Sequence, residues 1–134
     1  MADPLAPASR PCGTCPYRRD VPSGIWAAEE YAKLPAYDGD VPEQAAAGAF
    51  GLFMCHQRDG NLCAGWVGCH DMENNLAVRM HTGEVDPAVY DYVSPVPLFA
   101  SGAEAAEHGQ RDILHPGPLA RRKAQGFVRA RERN

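Results

Sequence analysis

Apolar and polar positions alternate in short stretches along this chain, and no stretch sustains one period for long. Gly24–Leu34 carries a helical pattern, with Ser23 placed as its N-cap and Pro35 as its stop. Residues 36–48 (AYDGDVPEQAAAG) read as a loop. Two apolar runs, Ala49–Cys55 and Leu62–Val67, flank Asp59-Gly60-Asn61, which predicts a β-hairpin. If Gln57 pairs with Cys63, then Cys55 and Cys63 share one face of that hairpin; a one-residue slip separates them. Asp71 is placed to cap a helix running to about Met80, and Asp86-Pro87 opens a short helix toward Tyr92. Ser101-Gly-Ala-Glu104 fits a capping box, with Gly109 as the stop, and a last helix follows Pro118. The fold class expected is α+β: a small, irregular single domain, with a short hairpin and several short helices around a cysteine site. Its divisions are an extended lead-in over 1–11, one domain over 12–116, and a basic helix or tail over 117–134.

Composition sharpens this picture. The chain has 134 residues, 45% of them hydrophobic, enough for one modest core. Thirteen glycines and twelve prolines work against long helices and large sheets. No apolar run reaches the roughly 18 residues of a membrane span, and Met1–Pro11 has no signal-peptide character. A cytoplasmic protein without membrane contact is expected. The net charge of −4 is unevenly spread. From Arg121 onward six basic residues and one acid give +5, leaving −9 on residues 1–120. An acidic body repels phosphate, so nucleic acid is a candidate partner only through the basic tail; the other candidate is an unidentified protein.

The chemistry lies in the cysteines. They follow the pattern Cys12-x2-Cys15-x39-Cys55-x7-Cys63-x5-Cys69, with His56 and His70 directly after two of them. Without a secretion signal, such cysteines point to metal or redox chemistry rather than a disulfide scaffold. A C-x2-C turn aims two sulfurs at one centre, and two more complete a four-thiolate site. Cys12, Cys15, Cys55 and Cys63 are the expected ligands; Cys69, His56 and His70 are further candidates. The irregular spacing and the proline in Cys15-Pro16 favour a [4Fe–4S] cluster, with zinc as the alternative. Arg18 would offset the charge of such a site.

The segments Arg10–Arg18 (RPCGTCPYR), Phe53–His56 (FMCH) and Leu62–Gly65 (LCAG) resemble a family of small bacterial and phage proteins of unknown function. These share C-x-x-C-P-aromatic-R, a later Cys-His and then Cys-Ala-Gly, over about residues 10–80 here. The resemblance implies a shared site at Cys12, Cys15, Cys55, His56 and Cys63. A looser analogy links the chain to the WhiB-like iron–sulfur regulators. These are also small, with four cysteines and a basic tail, but there a lone cysteine precedes C-x2-C-x5-C.

No dinucleotide, P-loop, zinc-protease or nucleophile-elbow motif occurs. Four thiolates saturate an ion or cluster, so a structural or redox-sensing role is expected ahead of catalysis. The catalytic alternative has an open iron site, served by Cys69 or His56 as acid, base or sulfur carrier.

Overall fold

The computed structural model describes residues 3–55 and 60–122. Six short α-helices lie between Ala28 and Gln110: α1 (Ala28–Ala32), α2 (Val41–Ala46), α3 (Ala64–Cys69), α4 (Leu76–Arg79), α5 (Ala88–Asp91) and α6 (Gly102–Gln110). Two 3₁₀ turns, Leu34–Tyr37 and Met72–Asn74, join them, and residues 118–122 are again helical. Among the described residues there is no β-strand or sheet, so the expected α+β class and its hairpin are not formed. In their place stand four isolated bridges: Leu5 with Val85, Pro7 with Leu62, Arg18 with Leu98, and Met54 with Leu62.

The hairpin fails for a local reason. The apolar run after Cys63 is Ala-Gly-Trp-Val-Gly, and an apolar run this short fits a buried helix as well as a strand. It coils into α3, whose two glycines allow close contact with neighbouring segments. What remains of the antiparallel pairing is one bridge. The Cys55 amide donates to Asn61 O at 2.8 Å and the Cys63 amide to Phe53 O at 2.8 Å, so Cys63 lies opposite Phe53; Gln57, its expected partner, lies outside the described residues. Leu62 also pairs on its other side with the N-terminal segment, donating to Ala6 O and accepting from the Ala8 amide, both at 2.9 Å. Segment 61–63 is therefore a junction between residues 6–8 and 53–55.

Side-chain capping sets several of the helix starts. Ser101 accepts from the Glu104 amide and starts α6, as the sequence predicts. Asp86 accepts from the Ala88 amide at 2.8 Å to open α5. Ser23, in contrast, does not cap the helix that follows it: its hydroxyl donates to Gly109 O at 2.9 Å and accepts from the Asp112 amide at 2.8 Å, both at the end of α6, and the following helix begins later, at Ala28. Asp40 and Glu43 form a reciprocal capping box that starts α2 inside the expected loop. Asp71 caps only the 3₁₀ turn, and Asn75 caps α4 separately.

Trp66, Tyr17, Tyr31, Leu34 and Leu62 are the largest fully buried hydrophobic side chains. The buried face of α6 consists of Gly102, Ala105, Ala106 and Gly109, a helical stripe of small residues. A Cβ at Gly109 would fall 2.1 Å from the Tyr31 ring, so only glycine lets α6 approach α1 this closely. The core thus forms without strands. Short segments pack through small residues around Trp66 and Tyr17, and the cysteine turn is held at the edge of that cluster.

Candidate metal centre

Cys12 to Cys15 form a tight turn, closed by the Cys15 amide donating to Cys12 O at 3.1 Å. The turn is fixed from two sides. Trp26 Nε1 donates to Thr14 O at 2.8 Å, which anchors the turn to the buried indole. Arg18 Nη1 donates to Pro11 O and Cys12 O at 3.3 and 3.4 Å. The other edge of its guanidinium holds Asp20 in a two-point pair, at 2.8 and 2.7 Å. Arg18 thus braces the backbone of the first cysteine and places a positive charge beside Cys12 and Cys15.

Cys63 caps α3 and brings its sulfur to 3.7 Å from that of Cys15. A disulfide would need about 2.05 Å, so these are two separate, facing sulfurs. Cys15 is fully buried and Cys63 nearly so. The backbone amides of Tyr17, Arg18 and Gly65 favour the charged form of Cys15, and that of Trp66 favours the charged form of Cys63. The facing Cys63 thiol, aided by these amides, holds Cys15 below the usual thiol range; the same hydrogen bond, with burial, pushes Cys63 well above it. Gly65 makes the approach possible, because a Cβ there would lie 2.4 Å from the Cys15 sulfur.

Cys55 is buried with Ala8 and Ala64, and Cys12 packs half-buried against the same group. Cys12 contacts Thr14 Oγ1 at 3.7 Å. Burial raises its thiol first, and the like charges of Cys15 and Cys55 add to the rise. Cys12, Cys15, Cys55 and Cys63 therefore occupy one neighbourhood: the Cys15–Cys63 pair is in contact, and Cys12 and Cys55 flank it. Among the described residues no group of three or more Cys, His, Asp or Glu side chains is placed so that it could hold a metal ion as it stands.

The remaining candidates separate from this group. Cys69 ends α3 and lines a polar cavity of about 230 Å³ with Asp38, Gln44, His70 and Asn75. Burial, then the charges of Asp38 and Glu104, push its thiol up to about 12, so at neutral pH it is a protonated thiol rather than a nucleophile. His70 has both ring nitrogens engaged: Nδ1 donates to Trp66 O at 3.0 Å, and Nε2 lies 2.9 Å from Asp38 Oδ1. That leaves no nitrogen for an ion or for activating Cys69. His56 lies outside the described residues, as do the basic residues from Lys123 onward.

Sequence reasoning missed the supporting residues. Gly65 was visible only as part of Cys-Ala-Gly, and Thr14 and Trp26 gave no signal. Asp38 sat in an expected loop; in the fold it pairs with His70 and accepts the Gly102 and Ala103 amides at 2.8 and 2.9 Å, joining the site's far side to α6. No helix among the described residues is long and apolar enough to cross a membrane. Comparison with curated proteins and with solved structures gives no match. The stretch 7–125 matches a family of unknown function, DUF6283, and the chain belongs to that family.

Proposed function

We propose that this chain is a small metal-binding protein in which Cys12, Cys15, Cys55 and Cys63 hold one tetrahedral zinc ion as a structural centre. The observation that carries this reading is the 3.7 Å between the Cys15 and Cys63 sulfurs. Zinc–thiolate bonds of about 2.3 Å at tetrahedral angles put two sulfurs about 3.8 Å apart, so the pair already has the length of one edge of such a site. The backbone amides that favour the charged form of both cysteines are the partners a thiolate pair requires when its charge is buried. Cys12 and Cys55, which neighbour this pair, would supply the remaining two ligands. The centre would tie the 12–15 turn to the 61–63 junction, a useful cross-link in a chain whose segments meet through isolated bridges.

The second reading keeps the ligands and replaces zinc by a [4Fe–4S] cluster in a structural or redox-sensing role. Cys15-Pro16 and the wide cysteine spacing favour it. The close pair disfavours it, because each thiolate of a cubane binds its own iron and the ligands stand further apart. In either form the basic segment from Arg121 is the surface that would meet an acidic partner or phosphate. Cobalt titration of metal-free protein distinguishes the forms. The zinc reading expects one cobalt per chain with the charge-transfer absorption of four thiolates, reduced in each single Cys→Ser variant at positions 12, 15, 55 and 63 but not at 69. Failure to bind cobalt, with iron and sulfide restoring a brown protein, overturns it in favour of the cluster.

A further inference from the structure

We infer that the site is a thiol switch in which peroxide joins Cys12 to Cys15 and releases the ion; this inference rests on the zinc reading. The four sulfurs are not equally reachable. Cys15 and Cys63 are 0% and 3% exposed and Cys55 is 6%, whereas Cys12 is only half-buried. A small oxidant therefore meets Cys12 first.

The geometry of the turn then selects the partner. The Cys15 amide bonds to Cys12 O across three residues. A turn of that kind brings its end Cα atoms within about 7 Å, and disulfides span about 4.4–6.8 Å. Cys69 is set apart as a protonated thiol on the far side of α3, so it is a bystander.

The chemistry balances with hydrogen peroxide as oxidant. The Cys12 thiolate attacks the O–O bond, giving a sulfenic acid and a hydroxide that takes a proton from solvent. The Cys15 thiolate attacks the sulfenic sulfur and expels a second hydroxide, also protonated to water. Two sulfurs lose two electrons and peroxide becomes two waters. Of the four thiolates, Cys55 and Cys63 remain, too few to retain the ion.

The test uses full-length protein loaded with zinc, its content measured first, then exposed to hydrogen peroxide. Zinc release is followed with a chromogenic chelator, and disulfides are mapped by mass spectrometry of non-reduced peptides. We expect one zinc released per Cys12–Cys15 disulfide, reversal by dithiothreitol, and equal release from Cys69→Ser. Release with a Cys15–Cys63 or Cys12–Cys55 disulfide overturns the inference, as does retention of zinc while Cys69 alone is oxidised. Should the chain take up no zinc, the metal reading itself fails. The same mapping on metal-free protein then still decides whether Cys12 and Cys15 pair.

Discussion

Substituting Gly65 by alanine separates two opposed effects. Gly65 is the second residue of α3, and helix propensity alone would make Gly65→Ala stabilising by up to about 1 kcal/mol. Packing says the opposite. The new methyl would lie 2.4 Å from the Cys15 sulfur and 2.8 Å from Tyr17 Cβ, an atom fixed to the backbone. Ordinary non-bonded contacts lie at about 3.5–4.0 Å, so something must move by roughly 1 Å. Overpacking of this kind costs about 1–3 kcal/mol; with a sulfur and a backbone-fixed atom both in the way, the upper end applies. The net loss is about 2 kcal/mol, or roughly 8 °C in Tm for a domain of this size. The movement also breaks the Cys15–Cys63 edge, so zinc affinity should fall by about 10–100-fold, the scale of support-residue losses at metal sites. Gly68→Ala is the control: its methyl would meet the flexible end of Leu98 at 2.7 Å, on the same helix but away from the sulfurs. It should cost less and leave zinc affinity unchanged. Thermal melts and competition with a zinc chelator read both quantities. A Gly65→Ala protein as stable as wild type, with unaltered zinc affinity, would refute the claim that this glycine exists to seat Cys15.

Other substitutions test the supports. Trp26→Phe removes the donor to Thr14 O; denaturant titration should show a loss of about 0.5–1.5 kcal/mol. Arg18→Met should lower zinc affinity by about 10–100-fold in a chelator competition, and Arg18→Lys should fail to restore it, because an ammonium cannot hold Asp20 at two points and the turn carbonyls together. Cys69 gives a pH signature. Its thiol is raised from an ordinary 9.0 to about 12, so the folded state retains a proton that the unfolded chain gives up. The stability it contributes is complete below pH 9 and lost as pH rises from 9 toward 12. Metal-free Cys69→Ala should therefore show a shallower alkaline decline than wild type, and parallel curves would count against the assignment.

The sequence was most legible where the signal is local and chemical. The Cys12–Cys15 turn and the Ser101 and Asp86 caps each depend on a few adjacent residues, and the structure contains all three. Signals that needed a distant partner were misread. Ser23 looked like a cap because its hydroxyl suits that task, yet the hydroxyl serves Gly109, far along the chain. The Leu62–Val67 run had no period to distinguish strand from helix, and α3 is set by packing of Gly65 on Cys15 and of Gly68 on Leu98. The capping box of α2 was written in Asp40-Val-Pro-Glu43, but Gly39 and Gly48 around it spoke for a loop. For the candidate site, cysteine spacing alone named Cys12, Cys15, Cys55 and Cys63 as expected ligands, and of these the fold brings Cys15 and Cys63 into contact. It could not say that Cys15 and Cys63 would be the contacting pair, since that depends on the helical turn after Cys63.

Whether Cys12, Cys15, Cys55 and Cys63 hold an ion decides the function proposed for this chain. It is tested most directly by elemental analysis, acid-labile sulfide assay and a visible spectrum on protein purified without oxygen, beside Cys15→Ser. Zinc held by the four cysteines requires a colourless protein with one zinc per chain and no sulfide, and a Cys15→Ser variant without stoichiometric metal. A wild-type chain that carries no metal and takes up neither zinc nor iron, or a Cys15→Ser variant with full metal content, would contradict it.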